Sequence, residues 1–236
     1  MTATVSFTFK VFNRKLLLRT YNDLYSVSLE PAESLTYLVP LSMNGSTSNG
    51  SNQYNKSRIK MSRELWLLRH GKAERYDGSE DYDRCLKKRG KRDAKRMGKW
   101  LKGQQFLPDA VISSPAIRAF TTACVVCDVL AIDRQHIQVE KRLYDEGLVR
   151  VKAVLADCPT TFNRVLLVGH NPELEELLAY LVKPTQLPEV EKLLPTAALA
   201  HLVLPDDWTH LEKGCGALLS IISPKSFAEE SEEPLD

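Results

Sequence analysis

Beyond residue 60 the chain settles into a regular alternation of apolar runs and amphipathic stretches. Leu65-Trp66-Leu67-Leu68 is a continuous apolar run that predicts a short buried strand, and it ends abruptly in Arg69-His70-Gly71. A polar loop over 72–85 follows. Residues 86–102 place Ala94, Met97, Gly98 and Leu101 at three- and four-residue spacing, which predicts an amphipathic helix with Gly103 as its stop. Residues 108–113 read as a second strand. Ser113-Ser114-Pro115 ends it and opens a helix over 116–130, with Arg118 in its first turn. A third strand is predicted over 137–139 and a helix over 148–156. A fourth strand over 164–168 runs into Gly169-His170-Asn171-Pro172, and a helix over 173–182 follows. After a turn at 193–196, final strands are expected over 197–204 and 217–222, with a short one at 208–211. Strands alternating with helices predict an α/β fold.

Residues 1–60 differ. They hold several bases and few acids, short β-like runs of no clear period over 5–18, and a Ser-, Asn-, Thr- and Gly-rich stretch over 42–55 that reads as a flexible linker. A secretory pattern is not evident. Met61 stands just before the first regular strand, which points to it as the natural beginning of the protein; an organellar transit segment and a small accessory element are the other readings. The expected organisation is an N-terminal extension over 1–60, one domain over 61–224, and a tail over 225–236. Glu229, Glu230, Glu232 and Glu233 make that tail acidic, and the expectation is that it is disordered.

Composition narrows the function classes. Of 236 residues, 43% are hydrophobic and 26% charged, an ordinary globular balance. A net charge of +2 gives no general argument for nucleic-acid binding. No apolar run approaches the roughly 18 residues that span a bilayer. Five cysteines in no paired framework fit a reduced, cytoplasmic setting. Cys124 and Cys127 form a CxxC inside an apolar helix without a second pair, so they are read as core. His136, His201 and His210 lack ligand-like spacing, and no metal or other cofactor is expected. The 86–102 segment is strongly basic apart from its apolar face. That pattern is either a solvated surface or a dock for an acidic partner protein.

The chemistry concentrates at strand ends. In open α/β sheets, ligands sit beyond the carboxyl ends of the strands. There Arg69 offers a planar fork of donors for phosphate, His70 can act as nucleophile, base or acid, and Gly71 allows a sharp turn and close ligand approach. Arg118 at a helix N-terminus lies beside free N–H groups that also favour anions. His170 repeats the first arrangement, a buried strand that presents an imidazole beside a glycine.

Leu67-Leu68-Arg69-His70-Gly71, Ser113-Ser114-Pro115 with Arg118-Ala119 and Thr121-Thr122-Ala123, and Val168-Gly169-His170-Asn171-Pro172 together resemble the histidine phosphatase superfamily, in the expected order. Leu86 with Gly90 and Ala94 resembles the family's first helix, and Pro195-Thr196-Ala197 a late turn of one branch. Within the family the chain most resembles the small bacterial phosphohistidine phosphatases of the signal-inhibitory type. The resemblance implies a three-layer sandwich with a mostly parallel central sheet flanked by helices. It implies that His70 attacks phosphorus and forms a phosphohistidine intermediate. Arg69, Arg118 and His170 would bind the phosphate, with Gly71 beside them, and no metal would take part. The family's proton donor maps onto Asp145 in Leu143-Tyr144-Asp145, where Glu is more usual; Glu146 is the alternative.

The family's mutases and larger acid phosphatases cap the pocket with insertions. The intervals 118–144 and 145–170 leave room for no more than a helix each, and an uncapped pocket suits a phosphate displayed on a protein. The expected activity is therefore removal of phosphate from a protein histidine, on a phosphorelay or carrier protein with an acidic surface, without nucleic-acid or membrane partners. A broad phosphomonoesterase of small esters and a non-catalytic phospho-ligand module are the alternatives.

Overall fold

In the computed structural model, residues 15–19, 24–28, 61–75, 78 and 80–227 are described. Two units divide the chain, one over 1–56 and one over 57–236. The described part of the first is an antiparallel pair, β1 (Lys15–Arg19) and β2 (Leu24–Ser28). The expectations of a linker at 42–55, of Met61 as the natural start and of a disordered acidic tail concern segments outside the described residues.

In the second unit, β3 (Met61–Arg69) carries Leu65 and Leu67 into one apolar cluster and Trp66 and Leu68 into another. A strand with a core on each side has no solvent face, which is why its sequence does not alternate. Chain order continues with α1 (Lys88–Gly103), β4 (Ala110–Ser113), α2 (Ile117–Leu130), β5 (Ile137–Val139), α3 (Gly147–Ala156), β6 (Arg164–Gly169), α4 (Glu173–Leu181), β7 (Leu199–Pro205) and β8 (Ala217–Ile222). The six-stranded sheet has the order β5-β4-β6-β3-β7-β8. β5, β4, β6 and β3 are parallel, and β7 and β8 add antiparallel strands at one edge. On one face Met97 and Leu101 of α1 and Ala119, Ala123 and Cys127 of α2 pack on Trp66 and Leu68. On the other, Val151 and Leu155 of α3 and Leu174, Leu177 and Leu178 of α4 pack on Leu65 and Leu67. This is the expected three-layer α/β sandwich. Cys124 and Cys127 are buried in it as packing residues.

Three local expectations differ. Residues 208–211 form no strand: buried Trp208 donates from Nε1 to the Phe162 carbonyl at 2.8 Å, so its apolar character serves an anchor rather than a ladder. Gly103 is the last helical residue of α1, and Gln105, at φ 55°, takes the left-handed position beyond it. The described structure continues past 224 in a 3-10 turn, Pro224–Phe227, that packs against α1. Among the described residues no helix is long and apolar enough to cross a membrane.

Candidate active site

β3, β4 and β6 run parallel and in register, so their carboxyl ends come out side by side. Arg69 closes β3, Ser113 closes β4 and Gly169 closes β6. Main-chain hydrogen bonds knit the turns that follow: His70 N–H to Gly169 O at 3.1 Å, Ser114 N–H to Val168 O at 3.0 Å, and Ala197 N–H to His70 O at 3.1 Å. Around these ends lies a cavity of about 420 Å3 whose lining includes Arg69, His70, Arg118, Asp145 and His170. Five residues from four separate segments of sequence thus meet in one place.

His70 is held in a defined tautomer. Its Nδ1 lies 2.7 Å from the Gly71 carbonyl, which can only accept, so Nδ1 carries the proton and Nε2 keeps its lone pair. Burial lowers the His70 pKa to about 4; the Gly71 bond opposes this, and the charges of Arg118, Arg69 and Arg84 add to it. At neutral pH the ring is uncharged among cations, with a lone pair on Nε2 that is chemically able to act as a nucleophile. His170 stands with its ring centroid 5.1 Å from that of His70, and its Nε2 lies 2.8 Å from Ser114 Oγ. Burial, then the neighbouring His70 and Arg118, lower its pKa to about 3, so it too is neutral.

The cations are braced from behind. Arg69 donates from Nη1 to the Leu194 carbonyl at 2.7 Å, while its buried Nε has no partner. Asn171 donates to the same carbonyl at 3.0 Å, and the Leu194 N–H donates to Glu175 at 2.8 Å. The turn at 193–196 is therefore a strut for Arg69. Arg118 is buried in the first turn of α2. Thr122, one turn later, donates to the Arg118 carbonyl at 2.7 Å and accepts the Gly71 N–H at 3.0 Å. That bond ties α2 to the Arg-His-Gly turn.

Gly71 departs from its expected role. It is absent from the cavity lining, its N–H is taken by Thr122 and its carbonyl by His70. A Cβ at this position would lie 2.7 Å from the Gly90 carbonyl oxygen. Glycine is required because α1 approaches closely, not because an anion does. The two candidate acids also separate. Asp145, at φ 56°, lines the cavity. Glu146 instead precedes α3 as its N-cap and faces Arg150 at 3.5 Å.

The lining also holds charged residues that no sequence pattern marked, Asp81, Arg84 and Glu173 among them. Asp81 accepts from Arg118 Nη2 at 2.8 Å, from Arg84 Nη1 at 2.6 Å and from Tyr144 Oη at 3.1 Å. Burial raises the Asp81 pKa, but the Arg84 hydrogen bond, the Arg118 charge and the Tyr144 bond outweigh it and hold it at about 2. Arg84 lies in the polar loop over 72–85, where no local pattern marks it out. Glu173, first residue of α4, was read as part of an ordinary helix start, yet it is buried and lines the cavity. The single available signal was adjacency: Glu173 follows His170 by three positions.

A family model described as "Histidine phosphatase superfamily (branch 1)" matches residues 65–146, the span from β3 to the acids before α3. An uncharacterised protein of Mycobacterium tuberculosis is 31% identical over 163 residues, 67% of this chain and all of that protein. The phosphohistidine phosphatase SixA of Escherichia coli is 29% identical over 145 residues, 61% of this chain and 86% of SixA. A solved structure of the protein histidine phosphatase SixA complexed with tungstate superposes with a TM-score of 0.59 at 28% identity, covering 70% of this chain and 99% of that one. With sequence, family model and fold in agreement, the chain belongs to the histidine phosphatase superfamily, which includes phosphatases, and within it is SixA-like.

Proposed function

We propose that this protein is a metal-independent phosphohistidine phosphatase that removes phosphate from a histidine of another protein through a covalent intermediate on His70. The observation that carries the covalent step is the fixed tautomer of His70, with a bare Nε2 in a cavity it shares with Arg69, Arg118 and His170. Nε2 attacks phosphorus as the substrate's P–N bond breaks. The two guanidinium groups stabilise charge on the equatorial oxygens, and His170, steadied by Ser114, completes the phosphate pocket. Water then attacks phospho-His70 and returns the ring to its starting tautomer. The solved SixA relative is complexed with tungstate, a tetrahedral oxyanion, and an oxyanion is what this lining suits.

The preference for a protein rests on the likeness to SixA and on the surface beside the cavity. α1 carries eight bases and one acid in a chain of net charge +2. Asp93, the acid, is buried and faces Arg89, Arg92 and Arg96 within 4.0 Å. Lys88, Lys91, Lys95, Lys99 and Lys102 are exposed, and none forms an ion pair among the described residues. At 3.6 residues per turn they fall within an arc of about 80° and run for about 21 Å. The stripe starts near the cavity, since the Lys87 N–H bonds the carbonyl of Lys72 in its lining. An acidic phosphorelay or carrier domain is the partner this surface fits.

The test is phosphate release from phosphorylated histidine-containing proteins, in chelator, beside small phosphate esters. Wild type is expected to favour the protein substrate and to pass through an acid-labile phosphoenzyme, and His70→Ala to lose both. Activity retained in His70→Ala rejects the covalent step. Small esters turned over as well as the protein make it a broad phosphomonoesterase instead. Phosphate binding without His70 phosphorylation makes it a binding module.

A further inference from the structure

A carboxylate at the start of a helix normally faces water, where it complements the helix dipole. Glu173 does not. The residue is only 6% exposed, it lines the same cavity as His70 and His170, and its Oε2 is buried with no hydrogen-bond partner. Among the described residues neither of its oxygens meets a cation within ion-pair distance, although Arg69, Arg84, Arg118 and Lys72 share the lining. Asp81, the other acid there besides Asp145, is satisfied by Arg118, Arg84 and Tyr144. Burying a carboxyl without a charged partner shifts it towards its protonated form. Consistently, burial raises the Glu173 pKa; its own N–H opposes this, while Asp145 and Glu176 add to it.

We propose that Glu173 is the acid and base of the reaction, with Asp145, which lines the same cavity, as a positioning residue. This rests on the phosphatase reading above. In the first half, the His70 Nε2 lone pair forms the new P–N bond. The substrate's bond to phosphorus breaks, its electron pair stays on the leaving atom, and that atom takes the proton from Glu173. In the second half, the Glu173 carboxylate takes a proton from water as the water oxygen attacks phosphorus. The P–Nε2 electrons return to His70, and Glu173 is again protonated. The net change is one water consumed and one phosphate released.

Glu173→Gln keeps the shape of the side chain and removes the transferable proton. The experiment compares kcat/KM for 4-nitrophenyl phosphate, phenyl phosphate, an alkyl phosphate and a phosphohistidine protein, over a range of pH. 4-Nitrophenolate leaves readily without help, so its kcat/KM is expected to stay within about threefold of wild type, while the poorer leaving groups lose about 100-fold. A burst of one 4-nitrophenolate per enzyme should precede a slow steady state, because water is no longer activated. Wild-type kcat/KM for the poor leaving groups should fall as pH rises through the Glu173 pKa, and Asp145→Asn should move that limb to lower pH. An equal loss on every substrate, or a limb unmoved in both variants, overturns the proposal. Because wild type is assayed alongside, its inactivity on all four substrates would count against the phosphatase reading itself, and so against this one.

Discussion

Asp81 sits in the fork of Arg118 with both its carboxylate and its main-chain carbonyl. Nη2 meets Oδ2 at 2.8 Å and Nη1 meets the main-chain oxygen of the same residue at 2.5 Å. The carboxylate and the main-chain carbonyl of Asp81 each already hold a donor of Arg118, so the phosphate binding proposed there would be an exchange. An apparent affinity is reduced by the fraction of protein in which the site is taken. Asp81→Ala is therefore expected to bind tungstate or inorganic phosphate tighter, by roughly tenfold on that argument, as titration calorimetry would measure. With a pKa near 2 the Asp81 carboxyl stays ionised from pH 4 to 9, so the gain should not vary with pH across that range. Weaker binding in the variant would mean that Asp81 orders Arg118 for the anion instead.

The two buried imidazoles make stability depend on pH in a definite direction. His70 and His170 have folded pKa values near 4 and 3, below the ordinary 6.5, so between those values the unfolded chain binds more protons than the folded one. Their contribution is complete above pH 6.5 and is lost as pH falls towards 4. For His70 alone the integral is at most about 3 kcal/mol. The Tm should fall over that interval, and His70→Asn should flatten the fall. With His70 as the proposed nucleophile, the acid limb of kcat/KM should lie near 4 rather than 6.5. A limb near 6.5 would contradict the buried, neutral His70.

Gly71→Ala tests whether the Arg-His-Gly turn needs glycine for packing. The added Cβ would lie 2.7 Å from the Gly90 carbonyl oxygen, with more backbone at 3.1 and 3.2 Å. Backbone cannot swing aside as a side chain can, so α1 or the turn must shift, at a cost of about 2 kcal/mol. In a domain of this size that lowers the Tm by about 4–8 °C. Because the same turn carries His70, phosphate release should fall with it. Thermal unfolding and a phosphate assay on one preparation check both.

How much could be read from the sequence depended on whether a residue's neighbours in space were also its neighbours in a pattern. Leu65 to Leu68 was legible because a strand with two cores has one apolar signature. Arg69, Arg118 and His170 were legible because each ends or follows an apolar strand, and parallel strands deliver their ends together. Asp81 was not, since Glu80, Asp81 and Asp83 share one polar loop and nothing local says which of them folds back onto Arg118, 37 positions away. Glu173 was hidden by the ordinary use of acids at helix starts. Trp208 misled because a buried anchor and a strand residue have the same apolar character. Gly71 was correctly picked out as a glycine position, yet its reason lay in α1, which sequence alone did not place against it.

The lysine stripe of α1 separates a protein substrate from a small one. If an acidic domain docks there, Lys91→Glu, Lys95→Glu and Lys99→Glu together reverse the field along the approach to the cavity. The three side chains are exposed and form no ion pairs among the described residues, so the fold should tolerate the change. Charges of this kind act mainly on encounter, and steering of this type is worth roughly 10- to 1000-fold in on-rate at low salt. The triple variant should lose kcat/KM for the phosphohistidine protein by a factor in that range. The deficit should shrink as ionic strength approaches 1 M, where the screening length is about 3 Å. Hydrolysis of 4-nitrophenyl phosphate should change little, because a small dianion needs only the cavity. Parallel losses on both substrates would move the role of α1 from docking to the cavity itself.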